Sequence, residues 1–281
     1  MNFKTITTAV ALVGASIALA ACQGTAGYEP NPYDSMDGGI WSGYKTASVE
    51  TQAMQNDDFE NPAMPWVDAA AELYDKADGE ANVSCADCHG APDDETGGLK
   101  HIPMKGVGAS YPAFDPETNK PINIEMRINQ CRTKYQKAKA YKYESDEMLG
   151  MTGLVAMQSR GMERVSTADF PDDKLNAFWK KGEEFYYQRR GQLDLACSNC
   201  HEDNPGNMIR AERLSQGQSN GFPTYRLKWQ KPGSLHRRFR GCNKNIRAQP
   251  YGYGSDEYMN LETYLAWRGR GLPIEAVSVR K

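Results

Sequence analysis

The sequence predicts a mainly α chain: two tandem copies of one small domain, related by internal duplication, behind an irregular N-terminal arm. Three observations predict it. A Cys-x-x-Cys-His run occurs twice, as Cys85-Ala86-Asp87-Cys88-His89 and as Cys197-Ser198-Asn199-Cys200-His201. Segments around these runs recur at a nearly constant offset. Apolar residues at helical spacing stand in matching places in both halves. The 281 residues carry 33 Lys and Arg against 36 Asp and Glu, and this near-neutral balance excludes a generally basic nucleic-acid binder. Mean hydropathy is low at −0.70, yet five Trp, fifteen Tyr and eight Phe argue for folded domains rather than disorder.

Residues 1–21 read as a secretory signal peptide. Lys4 precedes an apolar stretch from Ile6 to Ala21 that ends in small residues and is too short for a retained span. The alternative is a buried N-terminal helix. Export places the chain in an oxidising compartment, the periplasm, where cysteines pair or take up haem. Leu19-Ala20-Ala21-Cys22 has the form of a lipobox that would anchor the chain through a lipid on Cys22, while Ala18-Leu19-Ala20 equally fits ordinary cleavage. Past this region no run of about eighteen apolar residues occurs, so no membrane span is expected in the mature chain. Residues 22–61, rich in Gly, Asp, Asn and Pro, read as an extended arm that wraps the domain or a partner, or otherwise as a plain tether.

The repeats follow, at 62–165 and 166–281. Cys85 recurs as Cys197 at an offset of 112, Tyr111-Pro112 as Phe222-Pro223 and Cys131 as Cys242 at 111, and Ser145-Asp146-Glu147 as Ser255-Asp256-Glu257 at 110. A shift that shrinks by single residues is the trace of duplication with small loop deletions. Trp66, Ala70, Leu73 and Tyr74 make a helical stripe before the first Cys-x-x-Cys-His run. Leu175, Phe178, Trp179, Gly182, Phe185 and Tyr186 make one before the second, with Pro171-Asp172-Asp173 as its start signal. These stripes are core faces. Closing helices are expected over 147–160 and 257–270, each ending at a glycine.

Cys-x-x-Cys-His is the attachment signature of c-type haem: two thiols add to the haem vinyl groups and the adjacent His reaches the iron. Two such runs in an exported chain point to two covalently bound haems, held by Cys85, Cys88 and His89 and by Cys197, Cys200 and His201. A thioredoxin-like site would want a βαβ context, and zinc half-sites would need further Cys/His pairs. Helix, motif, loop and closing helix is the order of a class I cytochrome c domain.

The sixth iron position takes Met, His or Cys. One leftover cysteine falls at the same place in each repeat, which makes Cys131 and Cys242 the candidate distal ligands; a thiolate there would lower the reduction potential. The alternative is a Cys131–Cys242 disulfide, which requires the two corners to meet within about 7 Å. Around Cys242 lies the densest basic run in the chain, with His236, Arg237, Arg238, Arg240, Lys244 and Arg247. The plain reading is a solvated basic face. The sharper one is an oxyanion site beside a sulfur, since Arg offers a planar fork of donors and positive charge stabilises a thiolate.

With Ile128-Asn129-Gln130-Cys131-Arg132, Tyr225-Arg226-Leu227-Lys228-Trp229-Gln230, Leu235-His236-Arg237-Arg238-Phe239-Arg240-Gly241-Cys242-Asn243 and Leu265-Ala266-Trp267-Arg268-Gly269 in view, the chain strongly resembles the SoxA family. These are dihaem subunits of the SoxAX cytochromes of bacterial thiosulfate oxidation. The resemblance covers essentially everything after about residue 60. It implies an L-cysteine S-thiosulfotransferase that joins thiosulfate to a cysteine of a SoxYZ-like carrier protein, alongside a SoxX-like c-type cytochrome subunit, with electrons passing to a c-type cytochrome acceptor. It also implies His89 and Cys131 as axial ligands of one haem, His201 and Cys242 of the other, Cys242 as the catalytic sulfur and often a persulfide, and Arg238 as a substrate contact. Arg247, just beyond, joins it as a candidate for binding thiosulfate. The rival functions are a dihaem thiosulfate dehydrogenase that makes tetrathionate, and a plain electron-transfer cytochrome.

Overall fold

Each repeat is built on one crossed pair of helices that encloses a Cys-x-x-Cys-His turn. The computed structural model describes residues 39–164 and 173–281. The signal peptide, Cys22 and the start of the arm lie outside the described residues, as does the predicted boundary at 165/166.

In the first repeat, α2 (Met64–Asp75) leads into α3 (Ala86–His89), which carries the Cys88 and His89 side chains. A hairpin of β1 (Ala113–Asp115) and β2 (Lys120–Ile122) precedes α4 (Ile124–Cys131), and α5 (Asp146–Met157) closes the unit. In the second repeat the same order runs α6 (Asp173–Tyr187), α7 (Cys197–His201), the hairpin of β3 (Met208–Ile209) and β4 (Glu212–Arg213), then β5 (Thr224–Arg226) and β6 (Lys231–Gly233). Helices α8 (Leu235–Asn245) and α9 (Asp256–Arg268) complete it. The caps repeat with the helices. Asn123 and Ser234 start α4 and α8, and Ser145 and Ser255 start α5 and α9, each side chain accepting a first-turn backbone N–H. Tyr111-Pro112 and Phe222-Pro223, at matching positions, are both cis.

The expected helices are there, with closing helices that stop two or three residues earlier than the apolar period suggested. The arm is less irregular than its composition implied: α1 (Val49–Asn56) is capped by Ser48. It docks through Gln55, which accepts from Val279 N, and Asn61 Nδ2 donates to Val277 O. These partners lie in or beside β7 (Ser278–Arg280), the parallel third strand next to β5.

The core crosses the division between repeats. Val67, Ala70, Tyr74, Met151, Leu154 and Val155 of the first pack with Tyr225, Val277 and Val279 of the second. The second repeat has its own aromatic core around Phe185, Tyr186, Tyr258 and Tyr264, as the helical stripe indicated. A pair of reciprocal bridges marks an approximate two-fold relation: Lys120 Nζ meets Asp256 at 2.8 Å, and its counterpart Lys231 meets Asp146 at 2.8 Å. Among the described residues no helix is long and apolar enough to cross a membrane.

Candidate haem and sulfur site

All six described cysteines are free, so Cys131 and Cys242 do not form the alternative disulfide. Each belongs instead to its own repeat. Cys131 bears electrostatically on Cys85, and Cys242 on both Cys197 and Cys200. The motif histidines are held alike. His89 Nδ1 lies 2.8 Å from Ile102 O, and His201 Nδ1 lies 2.8 Å from Ser215 O. A carbonyl can only accept, so Nδ1 carries the proton and Nε2 keeps its lone pair, the tautomer a metal requires. Gly217 fixes the second ring by close approach, because a Cβ there would lie 2.8 Å from the ring carbon. Two thiols, one imidazole in this tautomer and a further thiol beyond it form a donor set that fits a covalently attached haem.

Cys131 and Cys242 differ in electrostatics. Burial raises the Cys131 thiol, and Arg127 opposes this only in part. Burial also acts to raise Cys242, yet Arg238 first, then the neighbouring His201 ring and Arg226, outweigh it and bring the thiol down from 9.0 to about 7. Arg238 and Cys242 are four residues apart on α8, hence on one face.

The repeat relation explains why, among the described residues, Arg238 is left unpaired at its site while its counterpart in the first repeat is not. Arg127 occupies in the first repeat the place of Arg238 in the second. Its Nη1 donates to Gln130 Oε1 at 3.2 Å, it also hydrogen-bonds Tyr111, and Gln130 is tied to the buried Asp115 carboxylate at 2.8 Å. The counterparts of these three partners are Gly241, Phe222 and Arg226. Neither glycine nor phenylalanine has a side-chain hydrogen-bond acceptor, and the carboxylate has become a guanidinium. Among the described residues no hydrogen bond or ion pair is found on the Arg238 side chain. Space opens beside it, since a Cβ on Gly241 would meet nothing within 4 Å.

The other basic residues of the run point elsewhere. Arg237 stacks on Trp229 at 4.4 Å and pairs with Glu144 at 3.5 Å. Arg240 hydrogen-bonds Tyr251 O and stacks on Tyr253. Arg247, expected beside the substrate, instead reaches Gln192 Oε1 at 3.5 Å on an exposed loop. Beyond Cys242 its backbone turns left-handed at φ 56°, which takes it off the helix face that Arg238 and Cys242 share. His236 is fully buried between Gly254 N and Glu262 and serves the packing of the repeats. Sequence reading missed Arg226, which comes from a strand sixteen residues before Cys242. The signal that finds it is the change from Asp115 to Arg226 at equivalent positions.

The family model for the SoxA/TsdA cytochrome c domain matches residues 69–163 and 181–274, one segment in each repeat. The chain is 42% identical over 253 residues to the L-cysteine S-thiosulfotransferase subunit SoxA of Pseudaminobacter salicylatoxidans, covering 90% of this chain and 84% of that one. It is 43% identical to the subunit of the same description from Rhodovulum sulfidophilum, covering 86% and 80%. The crystal structure of SoxXA from P. pantotrophus contains a chain 42% identical, with a TM-score of 0.78 and coverage of 86% and 87%. With both repeats matched and the ligand-bearing turns in place, the chain belongs to the SoxA family of haem-binding cytochrome c domain proteins.

Proposed function

We propose that this chain is the catalytic subunit of a periplasmic L-cysteine S-thiosulfotransferase. It carries two c-type haems, one on Cys85, Cys88, His89 and Cys131, the other on Cys197, Cys200, His201 and Cys242. It pairs with a SoxX-like cytochrome and joins thiosulfate to a cysteine of a SoxYZ-like carrier, with a c-type cytochrome as acceptor. The observation that carries the reading is the pairing on one helix face of Cys242 with Arg238, which has no hydrogen-bond or ion-pair partner on its side chain among the described residues.

Thiosulfate is a dianion, and the planar fork of Arg238 offers its oxygens paired donors. That contact leaves the outer sulfur beside Cys242 Sγ, with the gap at Gly241 as the approach. An S–S bond forms between Cys242 and the outer sulfur as two electrons are withdrawn. When bound, haem supplies one-electron acceptance, so the pair leaves singly. The carrier thiolate, its proton released to solvent, then attacks the outer sulfur, and the bond to Cys242 breaks to restore its thiolate. The sum is one carrier S–S bond formed, one proton and two electrons released.

The test is intact mass of the carrier after incubation with thiosulfate and a c-type acceptor, with and without this protein. One thiosulfate adduct per carrier, dependent on this protein and lost in Cys242→Ser with both haems retained, is the expected result. Tetrathionate formed without carrier, or near-normal turnover by the Ser variant, would overturn it.

A further inference from the structure

Arg226 is buried and held from several sides. Its Nη2 donates to Glu212 Oε2 at 2.7 Å and to the main-chain oxygen of Lys281 at 2.7 Å, its Nε reaches the same oxygen at 2.9 Å, and its plane lies over Trp229 at 5.2 Å. Its Nε and both Nη2 hydrogens are taken within the fold and the side chain is buried, so it is poorly placed to receive a substrate oxyanion. Yet its replacement of the first repeat's Asp115 reverses the charge at that position.

Glu212 supplies the reason. It stands on β4, in the short hairpin over this face, and it lies within electrostatic reach of Arg238 as well as of Arg226. A carboxylate near two guanidiniums settles on the one that also offers the better-fixed geometry. Arg226 is held rigidly by the Lys281 oxygen and by Trp229, whereas Arg238 has nothing to hold it. The hairpin is further tied by Lys281 Nζ, which donates to Ala211 O at 3.2 Å.

We infer that Arg226 is a positioning residue: by binding Glu212 it keeps that carboxylate off Arg238, and so leaves Arg238 unpaired for the thiosulfate dianion. The inference rests on the thiosulfotransferase reading for its substrate, and on the structure alone for its ion pairing. Without Arg226 the remaining cations that bear on Glu212 are Arg238 and, more weakly, Lys228, and on Arg238 the intramolecular carboxylate, always present, competes with thiosulfate for the same fork of donors.

The test is a double-mutant cycle in the haem-loaded complex with its partner cytochrome, assayed with the carrier over a range of thiosulfate concentrations. Arg226→Met should raise KM about tenfold or more with kcat within about threefold, since a charge-assisted contact to the anion is lost to competition. Adding Glu212→Gln should return KM to within about threefold of wild type, because an amide does not compete for the guanidinium. A double variant no better than Arg226→Met would show that Arg226 is merely structural, and would overturn the inference. If Arg226→Met fails to load haem, two other variants decide. Arg226→Lys should keep the pair and a KM near wild type, and Glu212→Gln alone should leave KM equal or lower; a KM raised as far as expected for Arg226→Met, in either, refutes the inference. A crystal structure of Arg226→Met should place Glu212 on Arg238, and a carboxylate left in solvent is the contrary result. That readout holds whether or not the wild type forms a carrier adduct, whose absence would refute the functional reading instead.

Discussion

Arg127 and Arg238 are the same residue in two copies of one domain, and they differ only in what their neighbours allow. Arg127 is satisfied by Gln130 and Tyr111, so its charge is spent inside the fold. Arg238 has Gly241 and Phe222 in those places. The double substitution Phe222→Tyr with Gly241→Gln should therefore give Arg238 the partners of Arg127. Its expected effect is a rise of about tenfold in the KM for thiosulfate with haem content unchanged, measured by steady-state assay and absorbance. Arg238→Met should raise KM at least as far, and Arg247→Met, on its own loop at Gln192, should stay within about threefold of wild type. Cys242 and the basic run were visible along the chain, as an odd cysteine per repeat and a local density of charge, but within that run Arg238 was singled out only by the family resemblance. Arg226 was not legible, because its meaning depends on a strand pairing and on contacts with residues 212 and 281.

Between elements, the two helix crossings solve one steric problem from opposite sides. At the α2–α5 crossing the small residues are Ala70 and Gly150, and a Cβ on Gly150 would lie 2.2 Å from Trp66 O. At the α6–α9 crossing the counterparts are Gly182 and Asn260, and a Cβ on Gly182 would lie 2.0 Å from Asn260 O. Backbone cannot yield there as a flexible side chain can. Gly182→Ala should thus destabilise the holoprotein by about 1–3 kcal/mol, read as a lower melting temperature with haem still attached. The crossing helices were legible from their 3.6-residue period. The strands were not, since β1, β2, β5, β6 and β7 have three residues each, too few for an alternation to register. Helix α1 escaped for a different reason: it is weakly amphipathic and is fixed by its cap and by Gln55 on β7.

At the scale of the whole molecule, the repeats meet around a buried cluster. Glu125 on α4 and His236 on α8 are equivalent positions, each six residues before its distal cysteine. Glu262 of α9 lies 3.0 Å from His236 Nε2 and accepts from Asn123 at 3.1 Å, and Glu144 accepts from Ser234 N. Arg164, itself buried, bears on Glu262. Burial first, then the Glu262 and Glu144 carboxylates, push Glu125 up to about 8. It is therefore protonated in the fold at neutral pH and ionised in the unfolded chain above its ordinary 4.5. Folding takes up a proton between these values, so stability falls as pH rises from about 4.5 to about 8. Glu125→Gln should remove this dependence: a melting temperature close to wild type at pH 5 and several degrees above it at pH 8. A wild-type melt that is flat across that window would disprove the assignment.

The sequence by itself determined the chemistry of this protein: which thiols and imidazoles come in sets, that the sets occur twice, and that one set lies in a basic run. Covalent ligand spacing and helical period are local properties, and a duplication displays them twice for comparison. Only the tertiary structure decided which charges face which sulfur. It separates Arg238 from Arg237, Arg240 and Arg247, brings Arg226 and Glu212 to the site, and packs β7 into the cluster that the two repeats share. The reason is physical. A charge acts through its distance and burial relative to groups far along the chain, and those distances come into being only when the repeats pack.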